Sequence, residues 1–309
     1  MKAEPDVTLP IGAGVDDDAP AESTRDGGDV APAPAMPTAA AASPALPWAM
    51  LDEHAGPVWA HVRGAQRVLE VSACTRVGDR RRHANQDAAV VRPLTDGSVI
   101  VAVLDGISGS VGVDVAQFRR KLVEDLGLLV ESGVSLPLEL MQRLHREATR
   151  WLGRVAPDAA TGAAMVVVRI DIDTGRAEWA CAGDVRLLAY CADASGWLRR
   201  RLHGQARVLN AVARLGTSSP LAAAVGQRPP LCIEAGAIAL APGEMLLLSS
   251  DGGTAPLDET CRVLDAYDDG QRLAGLEGLV NRLDRLAIEC SPCVADDRTI
   301  VAVTLGRRS

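Results

Sequence analysis

Three uninterrupted apolar runs end or begin at aspartates, and this constrains the fold more than any other feature of the chain. Val99-Ile-Val-Ala-Val-Leu104 closes on Asp105-Gly106, Met245-Leu-Leu-Leu248 leads through Ser249-Ser250 to Asp251-Gly252, and Asp296-Asp297-Arg298-Thr299 opens Ile300-Val-Ala-Val-Thr-Leu305. A fourth aspartate, Asp87, opens the shorter run Ala88-Ala-Val-Val91. Apolar runs of this length bounded by turn residues read as strands. Carboxylates at the ends of such strands then sit at the rim of a rigid, dry floor. Their hard oxygens suit Mg²⁺ or Mn²⁺ better than zinc.

The remaining elements indicate how the cover is arranged. Strands are expected at 69–76, 87–93, 98–104, 163–172, 176–182, 185–191, 196–202, 231–239, 244–250 and 299–305. Helical patterns fall at 112–131 and 137–154, with weaker ones at 206–215 and 276–289. Leu122, Leu126, Leu129 and Val130 share one helical face, and Pro137 suits a helix start. Short links such as Asp173-Thr-Gly175 favour antiparallel hairpins. Two long helices side by side between groups of strands argue against a doubly wound parallel sheet. The expected fold is α/β: a four-layer αββα sandwich, with two mainly antiparallel sheets flanked by helices.

Residues 1–46 are Ala, Pro, Asp and Gly with little periodicity, and segments such as Ala31-Pro-Ala-Pro-Ala35 cannot bury enough apolar surface to offset ordering. They read as a disordered tail, followed by a lead-in at 47–68 and a domain over 69–309. The tail sets eight acidic residues against Lys2 and Arg25, so six of the net eight negative charges belong to it. No basic patch points to nucleic acid. No apolar run is long enough to span a membrane, and the Met1 start lacks the pattern of a secretory signal. The seven cysteines, scattered through strand-like segments, fit reduced, buried thiols in a cytoplasm. Cys290-Ser-Pro-Cys293 has redox spacing, but no second pair or nearby His completes a zinc site. A cytoplasmic monomer is expected.

Taken in order, the motifs resemble those of the metal-dependent protein phosphatases of the PPM (type 2C) family, over about Leu69 to Leu305. Arg82-His-Ala-Asn-Gln-Asp87 resembles the family's first motif, and Asp105-Gly-Ile-Ser-Gly109 its Asp-Gly-x-Gly-Gly turn, followed by Asp114-Val-Ala116. Ala182-Gly-Asp-Val-Arg186, Ser250-Asp251-Gly252 and Asp296-Asp-Arg-Thr299 resemble the three later ones. An Asp-Gly after a strand is by itself only a turn; the ordered set carries the resemblance.

The resemblance implies that Asp105 bridges two Mn²⁺ or Mg²⁺ ions, that the Gly106 carbonyl meets one of them, and that Asp251 and Asp296 ligate the other. Asp87 would act through bound water, and Arg82 would clamp the substrate phosphate. The implied activity is hydrolysis of phosphate monoesters on the Ser and Thr of a phosphoprotein by activated water, in a bacterial signalling pathway opposing a kinase. The alternative is a degenerate module of this fold that binds and regulates a phosphoprotein partner with little turnover. Gln86 stands for a common Glu, Ser108 for a Gly, Gly162-Ala-Ala164 for Gly-Thr-Thr, Val185 for a Ser, Gly253 for a larger residue and Asp297 for an Asn. Ile107 occupies a place where some members carry a His acid. These departures leave rate, substrate choice and a third ion open, with Asp158 a minor candidate for that ion. Asp184 is read first as a turn residue pairing with Arg186 and only second as a ligand. An anti-sigma-pathway phosphatase is a further reading, less well matched than the kinase-opposing branch.

Overall fold

In the computed structural model, the residues described are 49–50, 58–78, 84–107, 113–159, 161–190, 206–208, 224–226, 231–268, 275–290 and 296–307. The expected tail over 1–46, the expected strand at 196–202, and Arg82, His83, Ser108, Gly109 and Cys293 lie outside them.

Among the described residues, twelve strands form two antiparallel sheets. The first runs in the order β1 (Ala49–Met50), β4 (Ala88–Pro93), β5 (Ser98–Gly106), β6 (Ala163–Asp171), β7 (Arg176–Ala182), β10 (Glu234–Ala239). The second runs β2 (Val58–Arg63), β3 (Arg67–Arg76), β12 (Arg298–Arg307), β11 (Met245–Ser249), β8 (Arg186–Tyr190), β9 (Ala206–Val208). Alternation along each strand divides its side chains between two cores. Val99, Val101 and Val103 of β5 face Val301, Val303 and Leu305 of β12 and Leu246 and Leu248 of β11 in a core between the sheets. Ile100, Ala102 and Leu104 point the other way, toward Phe118, Leu122, Leu126, Leu140 and Leu144 of two helices, α1 (Val115–Glu131) and α2 (Pro137–Val155). On the far side, Ile300, Ala302 and Leu247 pack against Leu264, Leu279 and Leu283 of α3 (Leu257–Asp268) and α4 (Gly275–Cys290). This is the αββα sandwich, and it accounts for the unbroken apolar runs: both faces of each central strand are covered.

Element by element, the expected strands and the three helices in the described parts fall within a few residues of their places. α1 begins at Val115 rather than 112 because Asp114 caps it, its Oδ1 accepting the Ala116 amide at 3.0 Å. The weak helical pattern at 206–215 is corrected at its start, where Ala206–Val208 is a strand paired with the outer edge of β8; residues 209–215 lie outside the described ones. α3 was not expected at all. Among its residues only Cys261 and Leu264 are fully buried apolar positions, too few to print a helical stripe on the sequence. No helix among the described residues is long and apolar enough to cross a membrane.

The pairing brings the motif strands to one end of the sandwich. Ala88 lies opposite Leu104, Gly106 opposite Ala163, Ser249 opposite both Ile300 and Arg186, and Arg298 opposite Arg76. Here the starts of β4, β8 and β12 meet the ends of β3, β5 and β11. Two of the links at this end, β3 to β4 and β7 to β8, cross from one sheet to the other, and they carry Asp87 and Asp184.

Candidate functional site

Asp87 is the most deeply set of the carboxylates, at 1% exposure. Its backbone is fixed on three sides. The Asp87 amide donates to Asn85 Oδ1 at 2.9 Å, the Gln86 amide to Asp297 Oδ2 at 2.7 Å, and Arg119 Nη1 of α1 donates to the Asp87 carbonyl at 2.8 Å. Beneath it runs a buried polar chain. Asn85 Nδ2 donates to Thr75 Oγ1 at 2.8 Å, Thr75 and Thr299 share a hydroxyl bond at 2.7 Å, and the Thr299 amide donates to Ser250 Oγ at 2.9 Å. Buried polar groups satisfied in this way make a rigid platform. Asn85 forms a local turn on the Asp87 backbone, as Asx residues do.

The carboxylates act on one another. Burial pushes the Asp87 carboxyl up to about 8, against hydrogen bonds from Ser250 and Thr299 and with the help of the Asp297 and Asp251 charges. Asp105 is raised well above the ordinary carboxylate range, first by burial and then by Asp87, Asp251 and Asp184; the Asp251 amide, donating to Asp105 Oδ2 at 3.2 Å, opposes this. Asp184 is raised by burial and by Asp296, against a local backbone hydrogen bond. Asp87, Asp105, Asp184, Asp251 and Asp296 are thus electrostatically one group, assembled from both sheets. Burial plus like charge is the arrangement a bound cation relieves.

The chemistry of this donor set fits a hard divalent ion. Every candidate ligand is an oxygen, and Asp87 Oδ2 is buried with no hydrogen-bond partner. Among the described residues, no three His, Cys, Asp or Glu side chains are gathered as a ready-made metal cage. Mutual repulsion is a physical reason for carboxylates to stand apart.

Close approach explains two glycines. A Cβ on Gly106 would lie 2.5 Å from Val115 Cγ1 and 2.9 Å from the Gln86 carbonyl, so only glycine lets β5, α1 and the Asp87 segment meet here. A Cβ on Gly252 would lie 2.2 Å from the Asp297 carbonyl, which keeps the Asp251 turn tight against the start of β12.

Of the residues expected at the site, Asp87, Asp105, Gly106, Asp251 and Asp296 come to this end of the sandwich. Asp184 joins them. The expected Asp184–Arg186 pair is absent among the described residues: Arg186 Nη1 instead donates to the Ala255 carbonyl at 2.6 Å. Arg119, Asn85, Thr75, Thr299, Ser250 and Asp297 support the site without having been singled out for it. Arg119 left a signal, a charge beside Phe118 on the buried stripe of a helix. The hydroxyl chain left none, because its members meet only across the sheet.

The sequence and fold were compared with known proteins. The family model for SpoIIE, stage II sporulation protein E, matches residues 95–306, beginning after Asp87. No curated protein matches the chain in sequence. The structure is similar to that of the S. agalactiae serine/threonine phosphatase, with TM-score 0.58 and 20% identity over 76% of this chain and 99% of that one. It is similar to the Mycobacterium tuberculosis serine/threonine phosphatase PstP/Ppp, with TM-score 0.56 and 17% identity over 77% and 99%. It also resembles RsbX, solved in complex with magnesium, with TM-score 0.53 and 15% identity over 81% and 100%. At these identities the structural likeness is one of fold.

Proposed function

The chain belongs to the SpoIIE family and has the PPM-type phosphatase fold, and from that premise we propose that it is a metal-dependent phosphatase acting on phosphoserine and phosphothreonine in a protein substrate. The observation that carries the reading is the group of mutually raised carboxylates drawn from both sheets, with a buried, unpartnered oxygen on Asp87. A structural scaffold gains nothing from such repulsion. A site for divalent cations does, because the bound charge offsets it.

In this reading Asp105, the Gly106 carbonyl, Asp251 and Asp296 would hold the Mn²⁺ or Mg²⁺ ions, with Asp184 a candidate for further support. Asp87 acts through water. When bound, such ions supply positive charge to the phosphate oxygens and acidity to a coordinated water. The protein's own part is to present the carboxylates on rigid strand ends. Arg82 binds the phosphate through its planar fork.

Two buried thiols and the Ser250 hydroxyl are poorly suited to attack. Burial pushes the Cys74 thiol up to about 12 and raises that of Cys261, so neither supplies thiolate readily. Ser250 Oγ is engaged by the Thr299 amide and by Asp87. Both facts support attack by water. The substitutions at Gln86 and Val185 favour the second reading, a module that binds a phosphoprotein with little turnover.

The two readings separate on substitution. Asp251→Asn and Asp296→Asn should each lower phosphopeptide turnover by orders of magnitude while the protein stays folded, since removing one of several repelling carboxylates relieves strain. Circular dichroism and turnover measured together check this. Unfolding of either variant would mark the residue as structural. Negligible turnover by the wild type with added Mn²⁺, together with retained phosphopeptide binding, would favour the binding module.

A further inference from the structure

Asp297 stands where the resembled motif has Asn, and its surroundings show what the acid does. It is 2% exposed. Its Oδ1 accepts the Gly78 amide at 2.9 Å and its Oδ2 the Gln86 amide at 2.7 Å. Gly78 follows the end of β3, and Gln86 immediately precedes Asp87. The Asp297 amide donates to Asp296 Oδ1 at 3.0 Å, and its carbonyl lies against Gly252, leaving no room for a side chain there. One residue therefore touches the segment after β3, the segment before Asp87, the Asp251 turn and Asp296.

We propose that Asp297 is a positioning residue: its carboxylate is a two-acceptor clip that sets Asp87 relative to Asp251 and Asp296, and it is not itself a cation ligand. Both oxygens are already committed to backbone donors, and both donors come from the link that crosses between the sheets. An Asn could not replace it. Its single carbonyl oxygen would keep one amide, and its NH₂ would face the other N–H, leaving a buried donor unsatisfied. The effect on cation binding rests on the functional reading above; the clip itself does not.

The test is Asp297→Asn in the full chain, read by amide hydrogen exchange and by calorimetric titration with Mn²⁺ alone. Loss of one of the two hydrogen bonds should accelerate exchange at Gly78 or Gln86 by about tenfold or more while Val101, in the middle of β5, is unchanged. Mn²⁺ binding should weaken by about tenfold, in the range seen when groups that orient metal ligands are altered. Unchanged exchange at both amides would overturn the clip, as would equal acceleration at Val101, which would mean general loosening. Faster exchange with unaltered Mn²⁺ affinity would overturn the positioning role. If the wild type itself binds no Mn²⁺, the metal-dependent reading fails, and the exchange data still decide the clip. Should the variant not fold, the wild type decides: Gly78 and Gln86 protected like a strand amide support the clip, and exchange at open-chain rates overturns it.

Discussion

A carboxylate buried as deeply as Asp87 keeps its charge only if something nearby favours it, and its neighbours mostly do the reverse. Ser250 and Thr299 donate to it, but Asp297 and Asp251 repel it and burial outweighs them all. The same conflict recurs at Asp105 and Asp184. The substrate side of the site is assigned to Arg82, where a guanidinium would meet phosphate. Arg82→Ala should weaken substrate binding more than the chemical step. Charge-assisted hydrogen bonds of about 1.5–3 kcal/mol translate to roughly a tenfold to hundredfold loss in kcat/KM. Arg82→Lys should recover only part of it, because a point charge cannot form the fork. Arg80→Ala and Arg81→Ala serve as controls in steady-state kinetics on an aryl phosphate. Equal losses at all three would reduce the effect to local charge. The aspartates were legible in the sequence only as an ordered set, since each alone reads as a turn residue at a strand end. Asp297 was legible only as a departure from a pattern, since its two bonds reach 211 and 219 residues back along the chain.

The strands and helices differ in how plainly their sequences announced them. β5, β11 and β12 are apolar on both faces and bounded by turn residues, so their places followed directly. α3 has few buried apolar positions, and β9 is only three residues long and pairs along β8, so neither printed a clear pattern. Helix α1 does more than cover a sheet. Arg119, on its buried face, donates to the Asp87 carbonyl and so ties the helix to the backbone that carries this carboxylate. The ends of the site strands are tied in turn to α4, where buried Asp284 pairs with Arg298 at 3.1 Å and Arg76 at 2.8 Å.

These strand ends store a pH dependence. In the unfolded chain Asp87 titrates near 3.8, and in the folded protein near 8. Between those values the folded state holds a proton that the unfolded state has lost, so stability falls as pH rises. Asp105 and Asp184 shift in the same direction. His145 is lowered from 6.5 by burial and opposes them only below that value. The lowered Asp96 and Asp173 act only in acid, below their ordinary 3.8. Chelator-treated protein should therefore melt at a lower temperature at pH 8 than at pH 6.5, and Mn²⁺ should restore the loss at pH 8. A metal-free melting temperature that rises across this window would contradict the electrostatic account.

At the scale of the fold, the two described sheets converge on one acidic end. The layer order followed from the sequence because two long adjacent helices between groups of hairpin-linked strands argue against a doubly wound parallel sheet. The convergence did not follow from periodicity. It depends on which strands become neighbours, and only the ordered motifs hinted at that. The central claim is that this acidic end works by holding divalent cations, and one measurement bears on it most directly. Wild type and Asp105→Asn are stripped with chelator, then assayed for hydrolysis of a small aryl phosphate with and without added Mn²⁺. The account predicts no turnover in either stripped sample, recovery by Mn²⁺ in the wild type, and no recovery in Asp105→Asn. Full turnover by the stripped wild type, or equal recovery by the variant, would contradict it.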